Sequence, residues 1–193
     1  WITGSWPGDL EFSNETDWLN FEKTYSDYIF SYAKLADSMR AESFCVGVEL
    51  RKSAIQRFQF WEKLIDSVKS IYSGKITYAS NWDNYDKIKF WNKLDFIGID
   101  AYFPVSESKT PTFEECYSGW EKDYNNIKTL SNKLKLKVIF TEYGYRNVDF
   151  TGKEPWDDTH HNTFNIEGQN NAYDAIYSRF WSEPWFEGGF LWK

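Results

Sequence analysis

"FCVGVEL", residues 44–50, decides how the rest of the chain is read. Seven residues are too few for a stable helix, and the run is too apolar for a strand with one wet face. It fits a strand of a parallel sheet covered on both sides. Near its end stands a carboxylate, Glu49. "KVIFTEYGY", residues 137–145, has the same form: Val138, Ile139 and Phe140 lead into Glu142, which tyrosines and a glycine then enclose. A desolvated carboxylate is costly unless something pairs with it or uses it.

Working outward from residue 44, apolar residues at Trp18, Phe21, Tyr25, Tyr28, Tyr32, Leu35 and Met39 predict a long amphipathic helix over 16–39. On the other side, Ser53 is the expected N-cap of a helix carrying Ile55, Trp61, Leu64, Ile65, Val68 and Ile71, with Gly74 ending it. The alternation continues with strand 75–80, a short helical stretch over 85–92 and strand 95–102. "TFEE" at 112–115 is a capping box opening a helix with Phe113, Trp120, Tyr124, Ile127 and Leu130 on one face. Strand 137–143 and a polar loop over 146–165 follow, then a helix over 169–181 and strand 187–193. Strands and helices alternating at this spacing predict parallel βα units, an α/β fold in a single unit, and no linker or low-complexity tract divides them.

Composition narrows the function. Aromatic residues are 21% of the 193 while the net charge is −7, and mean hydropathy is −0.65. Rings in an otherwise polar chain suit a protein that binds flat, hydroxyl-rich molecules, and also suit an aromatic-rich core. The anionic balance argues against a nucleic-acid partner, which needs clustered Lys and Arg. Cys45 and Cys116 are the only cysteines and are expected as thiols. With His160 and His161 the only histidines, no Cys/His metal set can be assembled, so neither metal nor cofactor is expected. No run is long enough to span a membrane.

The polar residues at strand ends point to chemistry. Glu49, Asn81, Asp100, Tyr102, Glu142 and Trp192 all lie at or just past the C-terminal end of a predicted strand. In a parallel α/β barrel those ends share one face, where active sites are built. An open doubly wound sheet would also place ligands there, but its Gly-rich phosphate turn is absent. Two glutamates so placed can cleave a glycosidic bond, one as acid and one as base or nucleophile. Alternatively each is an ion-pair partner for a neighbouring arginine, Arg51 or Arg146.

Taken in order, "FCVGVELRKSA", "YASNWD", "DFIGIDAYFP", "FTEYGYR" and "GGFLWK" resemble strands four to eight of the retaining glycosidase clan with (β/α)8 barrels, and within it glycoside hydrolase family 113, the endo-β-1,4-mannanases. The resemblance covers essentially the whole chain. It implies a TIM barrel, incomplete here and comprising strands three to eight with their helices. Glu49 matches the acid/base and Glu142 the nucleophile. Tyr102 matches a tyrosine that hydrogen-bonds the nucleophile, and Trp192 the tryptophan under the sugar being cleaved. The implied activity is retaining, endo-acting hydrolysis of β-1,4-mannan or glucomannan. Another β-linked glycan, or a non-catalytic carbohydrate-binding barrel, is the alternative.

Two departures stand out. Val48 occupies the position before the acid/base where many clan members have Asn. The barrel also needs about 250 residues, so Trp1 falls near the end of strand three, and the chain reads as a C-terminal fragment or as a shortened barrel completed by a partner. Such a remnant has open edges. Trp6, Trp82 and Trp156 lie in loops expected on the active face. Trp6, Trp82 and Asn81 are taken with Tyr102 and Trp192 as sugar-binding candidates, while Asp100 is expected to anchor the rim. "EPWDDTHHN" at 154–162 reads as a solvated loop that could line the leaving-group side. A polymeric substrate implies a secreted or periplasmic protein, although any signal would lie upstream.

Overall fold

The computed structural model describes residues 5–159 and 163–192. Trp1, His160, His161 and the end of the last expected strand, Lys193, lie outside them. The chain divides into two compact units, Trp1–Ile97 and Gly98–Lys193. The strand order is the chain order, β1 (Ser43–Val48), β2 (Lys75–Asn81), β3 (Phe96–Asp100), β4 (Lys137–Tyr143) and β5 (Phe186–Leu191).

In the first unit, α1 (Glu15–Ser38) is capped by the Asn14 side chain, which accepts from Asp17 N at 2.9 Å. Its buried line is Trp18, Ile29 and Ala33, and Tyr28, Tyr32, Leu35 and Met39 are exposed. The expected stripe steps by three and four, a 3.5-residue period that drifts around a helix of about 3.6 residues per turn. By Tyr28 the stripe has left the core. β1 and β2 pair in parallel from Ser43 opposite Lys75. The single helix expected from Ser53 is two, α2 (Arg51–Gln56) and α3 (Phe58–Ile71), broken at Arg57. Ser53 is no N-cap: it is buried inside α2, and the Trp61 indole donates to its hydroxyl at 3.2 Å. Trp61 centres the core, stacked on Phe90 at 5.7 Å with Tyr78 edge-on at 5.2 Å. The stretch expected to be helical over 85–92 is two 3-10 turns, Tyr85–Lys87 and Trp91–Lys93.

In the second unit the capping box is present, with the Thr112 hydroxyl and the Glu115 carboxylate each accepting the other residue's backbone N–H. It opens α4 (Phe113–Gly119), and a break at Trp120 separates this from α5 (Glu121–Leu134). The Gly119 backbone comes so close to Val105 that an added Cβ would lie 1.9 Å from its carbonyl oxygen. β4 and β5 pair in parallel, and α6 (Ile166–Phe180), capped by Asn165, lies between them in sequence. Phe140, Trp120, Phe180 and Phe186 form the core, with Phe140 at 4.9 Å from Phe180 and 4.7 Å from Phe186. Cys45 and Cys116 are thiols, as expected, and burial pushes Cys116 up to about 12.

Candidate active site

Glu49 follows β1 directly, in a left-handed backbone conformation with φ 52°. A non-glycine residue adopts that region at a cost, so the surroundings must hold it there. Its N–H donates to the Ala79 carbonyl of β2 at 2.8 Å, and its own carbonyl accepts from Arg51 N at 2.8 Å. The pairing of β1 with β2 shifts register between Cys45 and Val48, just before the glutamate. Irregularities of this kind re-aim side chains at strand ends. The Trp6 indole N–H donates to Glu49 Oε2 at 2.5 Å. Arg51, one of the two candidate ion-pair partners, is taken up by Asp9 at 2.7 Å and Asp83 at 3.4 Å. Asn81, at the end of β2, donates to Asp83 at 3.0 Å. Trp82 is half-buried beside it, and Val48 is 48% exposed.

Glu142 is placed by β4 in the second unit. Strict strand alternation puts Phe140 and Tyr143 on opposite faces, but the register shifts between them. Both pack on α6, Phe140 against Phe180 and Tyr143 against Tyr177 at 6.2 Å. The residues between them turn instead to the end of β3. Thr141 donates to Asp100 Oδ1 at 2.7 Å, and the Tyr102 hydroxyl donates to Glu142 Oε2 at 2.8 Å. Asp100 thus ties β3 to β4. The Ala101 N–H adds a 2.7 Å bond to the Glu142 carbonyl. Arg146, the other candidate partner, donates to the Asp157 carbonyl at 3.4 Å.

Trp192 follows β5, where its N–H donates to the Tyr143 carbonyl at 2.9 Å, and its side chain is 69% exposed. With Arg146, Asn147, Asp158 and Gln169 it lines a cleft of about 460 Å³. An indole beside amide, carboxylate and guanidinium groups offers a sugar both a flat face and hydroxyl partners. Asn147 and Gln169 are missed by sequence reasoning, since nothing in a loop glutamine or asparagine marks it as cleft-facing. Trp156 is 40% exposed. Among the described residues no three His, Cys, Asp or Glu side chains gather as a metal site requires, and no helix is long and apolar enough to cross a membrane.

The family model of Glycoside Hydrolase Family 113 matches residues 3–193. Among solved structures, the GH113 β-mannanase AaManA from Alicyclobacillus acidocaldarius superposes with a TM-score of 0.86 at 27% identity over 98% of this chain and 58% of its own. A second GH113 β-1,4-mannanase gives 0.85 at 24% identity, over 100% and 60%. A β-glucuronidase from Ruminococcus gnavus gives 0.71 at 14% identity, over 95% of this chain and 31% of its own, a likeness of fold alone. No curated protein sequence matches the chain. The fold is therefore part of a (β/α)8 TIM barrel, and the chain spans about three-fifths of the length of the mannanases it resembles.

Proposed function

The chain belongs to glycoside hydrolase family 113, and from that membership we propose that it is the C-terminal part of one glycosidase barrel domain that cleaves β-1,4-mannan or glucomannan within the chain and with retention. The observation that carries this reading is the hydrogen bond from Tyr102 to Glu142 at 2.8 Å. A phenol donating to a strand-end carboxylate fixes the orientation of one of its oxygens and leaves the other open to attack. That is what a nucleophile needs.

Glu142 attacks the anomeric carbon while Glu49, protonated, donates to the departing oxygen. A bond forms from a Glu142 oxygen to the sugar, and the glycosidic C–O bond breaks with its electron pair going to the leaving hydroxyl. Glu49, now ionised, takes a proton from water, which displaces Glu142 and restores both carboxyl groups. Trp192 supplies the stacking surface under the sugar, and Asn81 and Trp82 contact it on the Glu49 side. A polymeric substrate places the protein outside the cytoplasm or in the periplasm.

The test uses the full-length protein and Glu142→Gln, assayed on mannan and on mannooligosaccharides. The substitution should remove nearly all turnover while binding stays measurable by calorimetry. Retained turnover would remove Glu142 from the reaction, whereas binding without hydrolysis by the unmutated protein would favour a carbohydrate-binding barrel. Turnover of a β-glucan or galactan in preference to mannan would move the specificity and leave the chemistry.

A further inference from the structure

Resting on the acid/base reading of Glu49, we propose that Trp6 is the positioning residue of that carboxyl group, held in place by the turn Trp6–Pro7–Gly8–Asp9 and by Arg51, and is not a sugar platform. The indole N–H donates to Glu49 Oε2 at 2.5 Å. An indole is a donor only, so Oε2 is set as an acceptor and the proton for a departing oxygen is carried on Oε1. A neutral donor has a further advantage over Lys or Arg. It orients the carboxyl without adding the positive charge that would strip its proton.

The ring is held from several sides. Arg51 lies over it with Cζ at 4.6 Å from the centroid, and Arg51 is itself held by Asp9 at 2.7 Å and Asp83 at 3.4 Å. Among the described residues, Arg51 comes from α2, Asp9 from the turn and Asp83 from just after β2, and Glu11 and Tyr25 line the cavity that Trp6 borders. Beneath the ring, a Cβ on Gly8 would sit 2.3 Å from the indole carbons, so only glycine lets the ring fold back on its own turn. The turn closes with Asp9 N donating to the Trp6 carbonyl at 3.0 Å and Leu10 N to that of Pro7 at 3.1 Å. Trp6 also lines, with Leu10, Phe21, Tyr25 and Leu50, a largely apolar cavity of about 430 Å³. One ring face is covered by a guanidinium, and the polar edge is spent on the glutamate. "WPGD" at 6–9 and the strained Glu49 backbone therefore work as one device.

Trp6→Phe keeps a ring and removes the N–H. In the full-length protein, kcat/KM should be measured on aryl β-mannosides of graded leaving-group acidity and on mannooligosaccharides. Substrates that need protonation should lose about tenfold or more, whereas a dinitrophenyl leaving group, which departs without help, should change less than about twofold. The pH profile should shift on its acid/base limb. Gly8→Ala, which keeps the indole but displaces it, should show the same pattern, and circular dichroism would confirm that both variants fold. An equal loss on every leaving group, a change in KM alone or no change would overturn the role. The indole N–H resonance of Trp6 gives a readout without turnover: it should follow the titration of Glu49 and move in Glu49→Gln. If that resonance behaves so in a protein that hydrolyses nothing, the contact stands and the enzyme reading falls, taking the role of Trp6 in acid catalysis with it; if it ignores Glu49 in an active enzyme, the positioning role alone falls.

Discussion

Tyr102 and Glu142 are forty residues apart and meet through one phenolic hydrogen bond. Tyr102 is buried, so the hydroxyl has little water to fall back on. Tyr102→Phe removes the donor and leaves the ring packing. A hydrogen bond to a charged group contributes about 1.5–3 kcal/mol, so kcat should fall about ten- to a hundredfold with KM nearly unchanged, as steady-state kinetics on mannooligosaccharides would show. A KM effect without a kcat effect would mean that the phenol serves the substrate. Position at the end of an apolar run marks both residues in the sequence. The contact between them depends on the register shift at β4, which no residue pattern announces, because a bulge is chosen by packing on α6.

Helix ends are where single elements of this chain can be adjusted. Lys135 closes α5 in the left-handed conformation at φ 55°, a position glycine occupies without strain. Lys135→Gly should stabilise by about 0.5–1 kcal/mol, read from the midpoint of urea unfolding. Gly119→Ala should do the opposite, because its Cβ has nowhere to go but the Val105 carbonyl. The capping box makes a prediction in pH. The Thr112 backbone N–H and the Ser108 hydroxyl hold the Glu115 carboxyl below its ordinary value of 4.5. A carboxylate whose affinity for protons is lowered by folding stabilises the fold above its unfolded titration, and that share is lost as pH falls through the folded one. The stability gap between the protein and Glu115→Ala should therefore be full at neutral pH and close below 4.5. The capping box is readable in "TFEE". The break at Arg57 is not, since neither Gly nor Pro marks it, whereas Gly119 stands directly before the break at Trp120.

For the whole molecule the prediction is stereochemical. The proposed double displacement predicts that the first product keeps the β-anomeric configuration, followed by proton NMR before mutarotation. An α-anomer formed first would remove the covalent intermediate and recast Glu142 as a base. At this scale chain order carried most of the fold. Five apolar runs with helices between them reappear as five strands numbered along the sheet as along the chain, because a parallel βα unit has few other ways to cover both of its faces.

What the sequence determined by itself was the alternation of elements, the strand-end placement of Glu49, Tyr102, Glu142 and Trp192, and the thiol state of both cysteines. These follow from hydrophobic pattern, element length and composition, which are local properties. Tertiary structure alone decided which face of α1 is buried, where its helical partners break, and that the Trp6 edge meets Glu49 while Arg51 covers its ring. Those outcomes depend on side chains brought together across forty residues of chain, where contact is set by close packing and by the need to satisfy each buried donor, and neither leaves a periodic trace.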